Sequence, residues 1–187
     1  MVVSTTTRAS GATAWERDQP VEHFFSDGSR NAWAASLARP FVFKSPCDGE
    51  DFALLLVAFD ESITADEQSG FSDELVKRGC RYAVCAGSDC SSWDDSIDMA
   101  YLATDPGHAP PDDRFVMTTW HDDESLGAVA EFFVRNTSFD RFEAKHFLVV
   151  CLGGSREDYE RTRDAVKQCL EDDLEIWGGA PEDDEQV

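Results

Sequence analysis

Apolar runs at residues 51–60, 80–87, 114–121 and 145–153 are each followed by a polar junction and then by an amphipathic stretch. Runs of this length bounded by polar residues read as strands, and regular strand–helix alternation predicts a parallel α/β sheet. Phe52 to Phe59 is apolar at every position, so this strand should be central and covered on both faces. Right-handed crossovers then give a three-layer, doubly wound, mainly parallel sheet of Rossmann-like or flavodoxin-like kind. Numbering the four runs in sequence, the expected order is 2-1-3-4 or a close relative.

Helix boundaries follow from local chemistry. Thr64-Ala65-Asp66-Glu67 reads as a capping box, and Lys77-Arg78-Gly79 closes the first helix with cations and a glycine. A second helix is expected from Ser91 or Ser92, burying Trp93, Ile97, Ala100 and Tyr101. A third should start at Asp122 or Asp123 and bury Leu126, Val129 and Phe133. The fourth should start at Ser155, with Tyr159, Val166, Cys169 and Leu170 inward.

One α/β domain is expected over residues 20–177, between disordered ends at 1–19 and 178–187, the latter an acidic tail. Residues 20–49 hold Phe24, Phe25, Trp33, Leu37, Phe41 and Phe43, too aromatic for a linker. They should form an extension packed on the core, with a helix at 29–37 and an extended piece at 41–44. Trp93 and Trp120 should anchor helices over the rim of the sheet.

The formal net charge of −22 repels bare nucleic acid and anionic membrane surfaces and attracts a basic protein. No apolar stretch reaches the roughly 18 residues that span a bilayer, so a cytoplasmic protein is expected. Six cysteines occur without a Cys-x-x-Cys pair, which points to structural thiols in a reducing compartment.

Ligands of such sheets bind beyond the carboxyl ends of the strands. Asp60, Glu61, Thr119, Trp120, Gly153 and Gly154 are therefore the candidate ligand-binding residues. No G-x-G-x-x-G and no G-x-x-x-x-G-K-[ST] is present, and acids stand near every predicted helix start, so a directly bound phosphate cofactor is not expected. Two catalytic alternatives remain open. Asp60 and Asp122 could share Mg²⁺ for phosphoryl transfer. Cys90 could instead be activated by His121, with Asp89 or Asp122 orienting the ring, to make a cysteine-based hydrolase.

Arg81-Tyr82-Ala83-Val84-Cys85-Ala86-Gly87 with Asp89-Cys90, and Val116-Met117-Thr118-Thr119-Trp120-His121-Asp122-Asp123-Glu124 with Leu126, resemble an uncharacterised family of small bacterial domains. The resemblance covers roughly residues 51–154, is most distinctive over T-T-W-H-D-x-E, and implies a Rossmann-like fold without implying an activity. The leading expectation is a non-catalytic interaction or ligand-binding domain that meets a basic partner and carries no cofactor.

Overall fold

The computed structural model describes residues 21–177 apart from 43, 48 and 141, and excludes the side chains of 176 and 177. The ends at 1–19 and 178–187, expected to be disordered, lie outside the described residues.

All four apolar runs form strands: β3 (Phe52–Ala58), β4 (Cys80–Gly87), β5 (Met117–His121) and β6 (His146–Leu152). Between and after them lie α1 (Ala65–Lys77), α2 (Cys90–Leu102), α3 (Leu126–Arg135) and α4 (Arg156–Trp177). Two further strands, β1 (Glu22–Ser26) and β2 (Asn31–Leu37), complete a six-stranded sheet of order β1-β2-β6-β3-β4-β5. Only β1 is antiparallel to its neighbour. The chain is a single α/β domain.

The order of the four expected strands is thus 4-1-2-3 and not 2-1-3-4. The reason lies in β6, whose residues from Phe147 to Leu152 are all buried. A strand that apolar needs a neighbour on each side and a helix layer on each face. It is therefore inserted between β2 and β3 instead of closing an edge.

The helix expected at 29–37 is instead β2. Ala32, Ala34 and Ala35 favour a helix by intrinsic propensity, but the whole of β2 pairs in register with β6, from Asn31 opposite His146 to Leu37 opposite Leu152. The described residues of the segment 20–49 thus supply two strands of the sheet. The turn between them is closed by Asp27, whose carboxylate accepts from the Ser29 and Arg30 amides at 2.9 and 2.7 Å. Phe41 sits in a turn with φ 54° and is buried, in place of the extended piece expected there; Phe43 lies outside the described residues.

Alternation along the central strands feeds two cores. Leu54, Leu56, Leu148 and Val150 meet Phe71 and Leu75 of α1 and Trp93 and Ile97 of α2. Leu55, Val57, Phe147 and Val149 meet Val129 and Phe133 of α3 and Val166 and Leu170 of α4. Each such side chain, fully buried, contributes about 1.5–3 kcal/mol.

The Thr64–Glu67 capping box forms as the sequence indicates. The third helix starts later than expected, with Ser125 as its cap, because Asp123 adopts φ 57°, outside helical conformation. First-turn acids occur only in α1 (Asp66, Glu67) and α4 (Glu157, Asp158); α2 and α3 have none. Acids thus occupy the first turn of two helices of the four. Among the described residues no helix is long and apolar enough to cross a membrane.

Candidate functional site

Strands β2, β6, β3, β4 and β5 run in one direction, so their carboxyl ends share a rim. Along that rim the chain path reverses between β3 and β6, since β4 and β5 succeed β3 on one side while β6 returns to the other. Crevices at such reversals are the usual ligand positions in open α/β sheets.

Backbone packing at the reversal is tight. The Gly153 amide donates to the Leu37 carbonyl at 3.0 Å, and the Asp60 amide donates to the Leu152 carbonyl at 3.2 Å. A Cβ on Gly153 would lie 2.8 Å from the Asp60 Cβ, and one on Gly154 would lie 2.9 Å from the Phe59 ring. The two glycines expected to line a ligand are thus pressed against the β3 exit.

Arg39, two residues beyond β2, reaches over this point. Its guanidinium pairs with Asp60, donates through Nε to Glu67 Oε1 at 2.7 Å, and donates through Nη2 to the Ser62 carbonyl at 2.7 Å. Asp60 also accepts from the Ser62 amide at 2.9 Å and from its hydroxyl at 2.6 Å. The Ser62 hydroxyl, with further help from Arg39, holds the Asp60 carboxyl below its ordinary range against the opposing effect of burial. Glu67 is held low by the Thr64 amide and by Arg39. Glu61 is exposed beside them. A groove of about 320 Å³ opens next to the network, lined in part by Pro40, Phe41, Val42, Glu67, Phe71 and Glu74. Arg39 escapes a sequence reading because its place on the rim depends on recognising β2 as a strand.

At the β4 and β5 exits, Asp89 takes φ 52° at the start of α2 and makes no side-chain cap bond. Cys90 is buried in the core shared by α1 and α2. Burial, and after it the charge of Asp122, raises its thiol above the ordinary range. His121 turns to the other face of the sheet. Its ring lies 4.6 Å from that of Phe132, with Nδ1 3.0 Å from Glu124 Oε1 and Nε2 3.3 Å from Thr119 Oγ1. The strand ends carrying Cys90 and His121 are adjacent, as thiol activation requires, but the thiol and the imidazole belong to opposite faces.

Asp60 and Asp122 leave strands separated by β4, roughly 10 Å apart at ordinary strand spacing. Asp60 is paired to Arg39. Among the described residues no group of three or more His, Cys, Asp or Glu side chains is placed to hold a metal ion.

A third group was not anticipated. On α2, Asp94 and Asp98 stand one turn apart against β5, and the Thr118 hydroxyl donates to Asp98 Oδ1 at 2.9 Å. Asp94 is only 7% exposed and its Oδ1 has no hydrogen-bond partner. Burial raises both carboxyls, with added repulsion from Asp95, and the Thr118 hydroxyl opposes the rise. Trp120 projects from the same face of β5 as Thr118, two residues on. Trp93 is buried as expected, but Trp120 is 57% exposed and anchors no helix. The i, i+4 acids beside a strand tryptophan were the available signal.

Nothing among the curated proteins or the solved structures matches the chain. A family match spans residues 35–169, from the middle of β2 into α4, and takes in the reversal point, both neighbouring strand exits and the Asp94–Trp120 group. The chain belongs to the family described as Domain of unknown function (DUF7684).

Proposed function

We propose that this domain is a non-catalytic interaction module, built on a doubly wound, Rossmann-like sheet, that engages a basic partner. The observation that carries the reading is the Arg39 network. The crevice where a sheet of this kind would seat a nucleotide is spanned by the chain's own guanidinium, tied to Asp60, Glu67 and Ser62. A net charge of −22 adds a long-range field that favours cationic proteins over nucleic acid and anionic membranes. The reading invokes no cofactor. A reducing, cytoplasmic setting agrees with six free cysteines, five of them buried.

Binding of fluorescently labelled protamine, followed by anisotropy, tests the proposal. Saturable binding that weakens as salt rises is the expected result. Absence of binding at low salt would overturn it. So would turnover of a phosphate ester with Mg²⁺, or of a thioester, that is abolished in Asp60→Ala or Cys90→Ala respectively.

A further inference from the structure

We infer that the sheet edge formed by β5 and α2 receives an arginine side chain of a basic polypeptide, its guanidinium flat against Trp120 and paired with Asp94 and Asp98. This rests on the basic-partner reading and gives it a location.

Several independent features meet there. Strand β5 ends the sheet, so its outer backbone edge has no strand beside it. Trp120, over half exposed, stands on that edge and makes no ring contact among the described residues. Asp98 is exposed, with one oxygen engaged by Thr118. Most telling is Asp94: a carboxylate oxygen buried without a partner is costly unless something supplies a donor. The Thr118 hydroxyl, with one proton to give, donates to Asp98 at 2.9 Å and also faces the Asp94 carboxyl, yet it leaves Asp94 Oδ1 unsatisfied.

A guanidinium answers all of these at once. Its planar fork of donors can span two carboxylates one helical turn apart, and its weakly hydrated face stacks on an indole. An ammonium offers a point charge without the plane. Reaching Asp94 requires a rotamer change at the edge, and the exposed, unstacked Trp120 side chain is free to make one.

The test is titration of fluorescently labelled hexa-arginine peptide into the full chain and into Asp94→Asn, Trp120→Ala and a remote control, Asp73→Asn. Urea midpoints establish that each variant is folded, and the near-isosteric Asp94→Asn is the safeguard if Trp120→Ala is not. Expected are losses of roughly tenfold or more for Asp94→Asn and Trp120→Ala, with Asp73→Asn within about twofold of the parent. Equal affinity in all four proteins would overturn the location and leave the basic-partner reading standing. No binding of hexa-arginine by the parent would overturn both. Hexa-lysine bound as tightly, with the same losses, would overturn the choice of guanidinium.

Discussion

Arg39 and Asp60, 21 residues apart in sequence, form an ion pair across the exit of β6, the strand that separates theirs. The pair links the carboxyl ends of β2 and β3 at the place where the order of the sheet reverses. Because Glu67 and the Ser62 carbonyl share the same guanidinium, the pair also fixes the start of α1 relative to β2. One long side chain thus does structurally what a bound ligand often does at this position.

Replacing Arg39 by Ala should lower stability by about 1 kcal/mol. That is the upper end for an exposed pair, and it is reached here because several acceptors converge on one planar cation. The loss should depend on pH. Asp60 and Glu67 have folded pKa values held below their ordinary ones of 3.8 and 4.5. Their contribution is fully present above those values and disappears as pH falls through the lowered folded ones. Urea midpoints of parent and Arg39→Ala should therefore be separated at neutral pH and converge in acid. A constant separation down to the acid transition would show that the carboxylates are not the partners that matter.

Gly87 should be among the least replaceable residues. It has φ +83°, and a Cβ there would lie 2.2 Å from the Ala58 carbonyl oxygen, which accepts the Ser88 amide at 2.8 Å. Gly87→Ala combines left-handed strain with a backbone collision that no rotamer relieves, so a loss of roughly 2–4 kcal/mol is expected. Gly70→Ala is the contrast. Beyond the adjoining backbone of α1, no atom lies within 4 Å of a Cβ at that position, and exchange within α1 should stabilise by up to about 1 kcal/mol. Chemical denaturation of the two variants side by side checks both halves.

Four of the five parallel strands were legible because each is a largely apolar run closed by polar residues. The helix faces were legible because 3.6-residue spacing survives at Trp93, Ile97 and Tyr101 or Tyr159, Val166 and Leu170. What failed was set by pairing and not by local pattern. Ala32, Ala34 and Ala35 look helical until β6 is known to run beside them, and strand order depends on which apolar strand gains two neighbours. The site residues divide the same way. Asp60 and His121 could be placed at strand ends, but Arg39 could not, and the placement of the Cys90 thiol and the His121 ring on opposite faces needs the face each side chain takes. Asp94 reads as one more acid in a chain rich in them, because its burial is set by packing that the sequence does not display.

Thiol reactivity should follow burial and not the catalytic arrangement. Cys80, Cys85, Cys90 and Cys151 are buried, and desolvation pushes all four thiols up, Cys151 to about 12. Cys169 is half-buried and so the most accessible of the six. Iodoacetamide at neutral pH, read by peptide mass spectrometry, should label Cys169 first and leave Cys90 unmodified until the chain unfolds. His121→Ala should leave the rate at Cys90 unchanged. Rapid labelling of Cys90 that depends on His121 would restore the thiol-enzyme reading.

Asp94 makes a prediction of opposite sign to that for Asp60. Its carboxyl is raised above 3.8, chiefly by burial, so the folded state holds the proton more tightly than the unfolded chain does. Stability must then fall as pH climbs from the ordinary carboxylate range through the raised folded value, beyond which the full cost is carried. Asp94→Asn removes that titration while nearly preserving shape, and its amide supplies donors to the acids nearby. The variant should match the parent near pH 4 and exceed it at neutral pH by about 1 kcal/mol, the scale of one buried acceptor left unsatisfied. Saturating hexa-arginine should stabilise the parent at neutral pH more than Asp94→Asn, by about 1.4 kcal/mol for each tenfold of affinity the variant has lost. A parent already as stable as Asp94→Asn across this range would mean that the buried oxygen meets a donor of the chain's own, and the vacancy assigned to the guanidinium would be gone.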